Sequence, residues 1–283
     1  MAIAHRYWRD AAVDDLLSRR PDDAAGLALA HLDLAASRPD GTIAMRVFTP
    51  TIAEHGWSTG HTLVQVVVED MPFLVDSVVA ALSQLDVTVH ELLHPVLVVR
   101  RDVTGALIEV LDQDPSARRQ PGTDHRHESW ITVEIGRETD EATLREIEST
   151  LRQVLRDVAD AVEDYPKMRQ RALDTAADVL SSSLPVSDTE VTDAEELLRW
   201  LADDHFTFLG YREYRLDVVD GQDVLRPVTG SGLGLLRADG QVSAGFAKLP
   251  PAVRAKAREK HLLVLTKANS RSTVHRAAHM DYI

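Results

Sequence analysis

The sequence predicts an α+β protein, in which an antiparallel sheet carries helices on one face and a second α+β module follows. Residues 62–68 (TLVQVVV) form a β-branched and almost fully apolar run, which favours a strand covered on both faces. Residues 74–85 repeat apolar side chains at the spacing of an amphipathic helix. Residues 130–135 alternate apolar and polar side chains, which is typical of a half-buried strand.

The segment before this run is predicted to be mostly helical. Apolar residues recur at helical spacing through the N-terminal segment, and Pro21 begins a new helical turn. A short strand is expected over Ile43–Phe48. After the strand at 62–68, Asp70 is expected to cap the free N–H groups of the helix that follows, because a carboxylate can accept hydrogen bonds from them.

Further strands and a long helix are predicted beyond residue 86. Val87–Arg101 has strand character, and Ala106–Leu111 is expected to pair with it as a hairpin. Asp112–His127 is polar and rich in Pro, Gly and Arg, which indicates a loop before the strand at 130–135. From residue 140 the apolar spacing predicts a long amphipathic helix that continues to Leu184. This order of strands and helices is a ferredoxin-like plan.

A second module is expected from residue 190. Thr192 to Glu195 has the form of a capping box, which predicts a helix that runs to Asp204. The other expected elements, in chain order, are a strand with Phe206, Phe208 and Leu216, a turn at Asp220-Gly221, a strand at Val224–Val228, a charged helix at Ala252–Lys260 and a strand at Leu262–Thr266. Since the chain stops without a polar tail, we expect this module to be truncated.

Composition indicates a cytoplasmic protein that binds neither nucleic acid nor a membrane. The 283 residues include no cysteine, which excludes disulfides and cysteine-based zinc sites. No apolar run approaches the roughly 20 residues that span a bilayer. The net charge is −14, and residues 1–240 alone carry −20, whereas 241–283 carry +6. A strongly acidic body argues against nucleic acid, because binding to phosphates requires a basic surface.

One motif resembles a zinc site. His90-Glu91-Leu92-Leu93-His94 matches H-E-x-x-H, in which both histidines must lie a turn apart on one helical face. The residues on both sides are strand sequence, and in an extended chain positions four apart are separated by about 13 Å. We therefore predict no metal site here, and a zinc hydrolase that uses His90, Glu91 and His94 is only a remote alternative.

No catalytic residue is predicted in the chain. Gly230–Gly234 resembles a dinucleotide-binding loop only superficially, because Leu233 interrupts the glycine spacing. Asp203-Asp204-His205 places acids beside a base, but no nucleophile is indicated nearby. The sequence therefore predicts neither a catalytic centre nor a cofactor for these residues.

The strongest candidate for ligand binding is the point where the strand at 62–68 leads into a helix. Free N–H groups at a helix start favour a carboxylate. The predicted ligand-binding residues are Asp70, Met71, Pro72, Phe73 and Leu74. They resemble the start of ACT domains, small-molecule-sensing modules with the form acidic-x-Pro-Gly-apolar. Phe73 occupies the position of the glycine, which in an ACT domain lets an amino acid approach the backbone.

Four segments extend this resemblance. They are DMPFLVDSV (Asp70–Val78), HELLHPVLVVRRD (His90–Asp102), DHFTFLGYREY (Asp204–Tyr214) and TKANSRSTVHR (Thr266–Arg276). Together they resemble the N-terminal region of the large bacterial NAD-specific glutamate dehydrogenases. The domains expected on this basis are a helical segment at 1–40, an ACT-like domain at 41–165, a helix and linker at 166–189, and an ACT- or PAS-like module at 190–283.

The resemblance implies a regulatory segment of a very long enzyme. The whole enzyme is expected to deaminate L-glutamate oxidatively to 2-oxoglutarate with NAD, in a catalytic domain outside these residues. The expected partners are a second copy of the chain, that catalytic domain and a free amino acid. An open alternative is a structural assembly scaffold in which Phe73 closes the ACT pocket.

Overall fold

The computed structural model describes residues 2–9, 11–115, 124–219, 222–237 and 261–283. They form two compact units, Met1–Arg156 and Asp157–Ile283. In the described ranges, no helix combines the length and the apolar character that crossing a bilayer would require.

The first unit is built around a six-stranded antiparallel sheet. Its strands are β1 (Ala44–Phe48), β2 (Thr62–Glu69), β3 (Val89–Leu93), β4 (Val96–Arg101), β5 (Leu107–Val110) and β6 (His125–Ile135). The order across the sheet is β1-β2-β6-β4-β5, and β3 also pairs with β6. The α+β class and the antiparallel sheet predicted from the sequence are confirmed, as are the strands at 43–48 and 62–68 and the hairpin of β4 and β5.

β6 is the central strand of this sheet, and the sequence prediction for it was wrong in two respects. It begins at His125, five residues before the predicted start at Trp130, inside the segment expected to be a loop. It is also buried from Glu128 to Ile135 and is therefore covered on both faces. Its polar residues read as a solvent face in the sequence, but they are buried among partners.

The helices of the first unit are α1 (Ala2–Tyr7), α2 (Val13–Ser18), α3 (Pro21–Ala35), α4 (Ile52–His55), α5 (Leu74–Gln84) and the first part of α6 (Glu141–Ser181). The predicted helical character of the N-terminal residues and the helix after residue 73 are confirmed. α3 packs against β1 and β2, and Leu27 joins a buried apolar cluster with Leu63, Val67 and Trp130. Because side chains alternate along a strand, Val64 and Val66 point to the opposite face, and they are buried too.

A buried polar cluster attaches α1 and α3 to β6. The Tyr7 hydroxyl lies 2.7 Å from Thr132 Oγ1 and 3.0 Å from His31 Nδ1. His31 Nε2 donates to the Val66 carbonyl over 3.1 Å, which leaves Nδ1 as the acceptor and makes the imidazole neutral. Burial raises the pKa of Tyr7, and its hydrogen bond to Thr132 only partly offsets this. Since every polar atom in this cluster that we name has a partner, its role is structural.

Acidification is expected to destabilise the first unit through His31. Burial lowers the pKa of His31 from its ordinary 6.5 to about 3, and the hydrogen bond to Val66 only partly offsets this. The unfolded chain therefore takes up the proton first. The stability contributed by neutral His31 is complete above pH 6.5 and is lost as the pH falls from there towards 3. Between pH 6.5 and 5 the loss amounts to about 2 kcal/mol.

Urea denaturation at pH 6.5 and at pH 5 tests this expectation in the wild type, His31→Gln and His5→Gln. The free energy of unfolding should fall less in His31→Gln than in the wild type, because glutamine keeps a donor and an acceptor but does not titrate. His5→Gln is the matched control, since His5 is exposed. Equal pH dependence in the wild type and His31→Gln would contradict the assignment.

The second unit contains the rest of α6 and several short strand pairs. α6 continues through Pro166, as predicted. The other elements are α7 (Asp188–Trp200), a wide helical turn at Leu201–His205, β7 (Gly210–Tyr211), β8 (Tyr214–Val219), β9 (Gln222–Pro227), β10 (Leu233–Gly234), β11 (Thr266–Arg271) and β12 (His279–Tyr282). β7 pairs with β10, β8 with β9, and β11 with β12.

Several predicted boundaries in this unit were wrong. α7 begins after Ser187, whose side chain accepts a hydrogen bond from the Glu190 N–H, rather than at the capping box of Thr192. Phe206 and Phe208 precede β7 and lie outside any strand, and the last strand pair begins at Thr266 instead of Leu262. The predicted turn at Asp220-Gly221 and the helix at Ala252–Lys260 lie outside the described residues.

Candidate ligand site at the junction of β2 and α5

The junction of β2 and α5 contains a residue in an unusual backbone conformation. Phe73, the residue before the first turn of α5, has φ 72° and ψ −1°, which is the left-handed region. For a residue with a bulky side chain this conformation costs about 1–2 kcal/mol, whereas glycine adopts it freely. The backbone at this position therefore has the conformation that glycine favours, although the residue is phenylalanine.

Asp70 does not cap the helix by the route that the sequence predicted. Its carboxylate accepts a hydrogen bond from the buried Ser129 hydroxyl, with 2.6 Å between Oδ1 and Oγ. Its backbone N–H donates to the His127 carbonyl over 2.9 Å, which continues the pairing of β2 with β6. Phe73 stands at the cap position and contributes no side-chain hydrogen bond. The positive end of α5 is thus left without a side-chain oxygen from its own cap residue.

The other predicted residues have different environments. Leu74 is 1% exposed, so its side chain belongs to the core. Met71 is half-buried, as is the Phe73 side chain, whereas Pro72 is exposed together with Asp70. The side chains exposed at this junction are therefore those of Asp70 and Pro72, together with parts of Met71 and Phe73.

Ser129 links Asp70 to a histidine of the H-E-x-x-H motif. His94 Nε2 lies 2.8 Å from Ser129 Oγ. Because the Ser129 hydroxyl donates to Asp70, its oxygen accepts from His94. A nucleophilic serine needs the histidine to accept its proton and needs an exposed oxygen. Here the Ser129 hydroxyl accepts from His94 and donates to Asp70, and Ser129 is 0% exposed. The arrangement therefore fixes the position of Asp70 and does not form a nucleophile.

The three residues of the H-E-x-x-H motif have separate partners and do not converge on one point. His90 and Glu91 lie on β3, which confirms the predicted strand. His90 stacks on His61 with 4.4 Å between ring centroids, while Glu91 forms an ion pair with Arg19. His94 is held by Ser129, as described above. The helical face that the zinc hydrolase alternative requires is absent, and in the described part of the chain no three His, Asp or Glu side chains are placed to hold a metal ion.

The sequence analysis did not identify Ser129 as part of this site. Ser129 is 59 positions from Asp70 and lies on the strand whose start was placed too late. No local pattern marks it, because the contact depends on the pairing of β2 with β6. His94 was noticed only through a motif whose chemistry does not apply here.

Comparisons with a family model and with individual proteins both point to glutamate dehydrogenases. Residues 3–151 match the family described as the glutamate dehydrogenase ACT1 domain. The chain is 33% identical over 299 residues to an NAD-specific glutamate dehydrogenase of Halomonas elongata and 34% identical over 286 residues to one of Pseudomonas aeruginosa. Each alignment covers 99% of this chain and 17% of the relative. A third such enzyme, from Mycobacterium tuberculosis, is 33% identical over 74% of this chain.

Proposed function

Because this chain belongs to the glutamate dehydrogenase ACT1 domain family, we propose that it is a non-catalytic N-terminal regulatory segment of a longer NAD-specific glutamate dehydrogenase. The chain spans 17% of the length of the relatives from Halomonas elongata and Pseudomonas aeruginosa. On this proposal the whole enzyme converts L-glutamate to 2-oxoglutarate, and residues outside this chain bind NAD. A second copy and the catalytic domain are its partners, and the cytoplasm, which suits a chain without cysteine, is its location.

The observation that carries the regulatory proposal is the left-handed backbone at Phe73. At the position of the ACT-motif glycine, Phe73 has a backbone conformation that glycine adopts freely. A bound amino acid would direct its carboxylate to the first N–H groups of that helix and its ammonium group to Asp70. Both contacts are electrostatically favourable, since a helix start carries partial positive charge and Asp70 carries a negative one.

Regulation requires more than binding. An amino acid changes the activity of a distant catalytic domain only if its affinity differs between two states of the enzyme. The hydrogen-bonded chain from Asp70 through Ser129 to His94 supports such a role, because it connects the candidate ligand site to β6 and to the end of β3. A change at Asp70 would therefore reach the centre of the sheet.

The half-buried ring of Phe73 favours a second function. Where an ACT domain leaves room for a ligand, this chain carries a phenyl group. The domain would then serve as an assembly scaffold that binds no amino acid. Another protomer would then pair along β1 or β5, which end the order across the sheet among the described strands.

A thermal-shift titration of the 283-residue chain against the twenty amino acids separates these functions. The sensor proposal predicts a saturable rise in stability with one or two amino acids, worth about 2.7 kcal/mol at a hundredfold excess over Kd. Asp70→Asn should abolish the rise. Asp76→Asn, which alters an exposed carboxylate in the first turn of the same helix, is the control and should preserve it.

Phe73→Gly identifies the reason for a negative result. If the wild type shows no shift and Phe73→Gly does, the phenyl ring closes a pocket that the backbone retains. If neither protein responds to any amino acid, the sensor proposal is wrong and the scaffold function is favoured.

A further inference from the structure

The second unit contains a groove of about 240 Å³ that none of the proposals above uses. It lies between the β7–β10 pair and the β11–β12 pair, and all of its lining residues belong to this unit. The side chains that form its apolar wall are Leu209, Leu235, Leu236, Val274 and Met280. The volume is below the roughly 300–1,000 Å³ of sites for drug-sized ligands, so the groove suits a smaller molecule.

The rim of this groove carries an available cation. Arg276 lines the groove and is exposed, and no carboxylate within the described ranges forms an ion pair with its guanidinium group. The acidic residue of the lining, Asp281, is already paired with Lys267, with 2.7 Å between Oδ1 and Nζ. Among the described residues, the groove thus combines an apolar wall with a positive charge that no carboxylate compensates.

The loop that carries Arg276 is held in place before any ligand arrives. The Ser272 N–H donates to the Ala278 carbonyl over 2.9 Å, and the Ser272 hydroxyl donates to the Val274 carbonyl over 2.8 Å. The Arg276 N–H also donates to the Val274 carbonyl over 2.9 Å. Val274 is 1% exposed and anchors the loop in the core. Because the backbone of this loop is already fixed, binding does not have to order it, and only the exposed Arg276 side chain loses freedom.

We infer that this groove binds a small monocarboxylic acid with an aliphatic chain. The chain lies along the leucine wall, where its burial supplies most of the affinity. The carboxylate pairs with Arg276, whose planar guanidinium group matches it in shape and charge. This site lies in a different unit from Asp70 and does not depend on the proposed amino-acid sensing.

Titration calorimetry of the full chain with hexanoate, hexanol and hexylamine tests the charge requirement. Hexanoate should bind saturably, hexanol at least tenfold more weakly, and hexylamine not at all. Shortening the acid from hexanoate to butyrate should weaken binding about fourfold for each methylene removed, if the chain lies on the apolar wall.

Two matched variants test the residue. Arg276→Gln should weaken hexanoate binding by at least about tenfold while hexanol binding is unchanged. Arg271→Gln changes an exposed arginine on β11 that does not line the groove, and it should leave hexanoate binding unaffected. Absence of hexanoate binding, equal affinity for hexanoate and hexanol, or an unaffected Arg276→Gln would each overturn the inference.

Discussion

Replacing Glu128 with glutamine is expected to lower the free energy of unfolding of the first unit by about 3–5 kcal/mol, because it leaves two buried guanidinium groups without a counter-charge. Arg38 donates to Glu128 Oε1 from Nε at 2.9 Å and from Nη2 at 2.7 Å. Arg101 donates to Oε1 at 2.7 Å and to Oε2 at 2.9 Å. Trp130 Nε1 also lies within hydrogen-bonding distance, 3.2 Å from Oε2.

Urea denaturation monitored by tryptophan fluorescence measures this loss. Glu109→Gln is the matched control, because its ion pair with Arg100 also joins two neighbouring strands of the sheet, β4 and β5, but is exposed to solvent. It should cost less than about 1 kcal/mol. The loss of stability in Arg38→Gln should lie between those in Glu128→Gln and Glu109→Gln, since the bidentate pair of Arg101 with Glu128 survives. Equal losses in Glu128→Gln and Glu109→Gln would contradict a structural role for the buried cluster.

The pH dependence of the same measurement provides a second test. Burial raises the pKa of Glu128, but the hydrogen bonds and charges of Arg101 and Arg38 outweigh it and hold the pKa below its ordinary 4.5. The folded state therefore releases this proton more readily than the unfolded state. The stability that Glu128 contributes is present above pH 4.5 and is lost as the pH falls through its lowered pKa. The difference between the wild type and Glu128→Gln should shrink over this range.

The first unit shows which features a sequence pattern predicts and which it does not. β2 and α5 were predicted because each carries a regular apolar pattern set by local geometry. β6 was assigned too few residues, because Glu128 and Ser129 read as polar surface although Arg38 and Asp70 satisfy them inside the protein. Those partners come from other parts of the chain, so no window of sequence contains the pair.

The candidate site likewise has features that the sequence predicts and features that it does not. The position of Asp70–Leu74 between a strand and a helix follows from the sequence, as does the resemblance to the ACT motif. The left-handed backbone at Phe73 could not be predicted from the residue type, because the surrounding structure overrides the preference of phenylalanine. The prediction for the start of α7 was wrong for another reason. Ser187–Glu190 and Thr192–Glu195 both have the capping-box form, and only the structure distinguishes them.

Gly105→Ala is expected to be as damaging as the loss of Glu128, with a cost of at least about 3 kcal/mol. Gly105 has φ +91°, and an added Cβ would lie 2.4 Å from the Pro39 nitrogen and 2.5 Å from the Arg38 carbonyl oxygen. These are backbone atoms, so the turn between β4 and β5 must itself move. Movement would also disturb the Gly105 carbonyl, which accepts from the Arg38 N–H at 2.9 Å and from Arg101 Nη1 at 2.8 Å.

Gly41→Ala separates the clash from the conformational strain. Gly41 has φ +68°, but an added Cβ would meet nothing within 4 Å, so only the strain of about 1 kcal/mol applies. The double variant Gly105→Ala/Glu128→Gln should cost less than the sum of its single changes, because both release Arg101 from the same buried cluster. Additive losses would mean that the turn at Gly105 and the Glu128 cluster are independent, and that Arg101 does not couple β4 to β6.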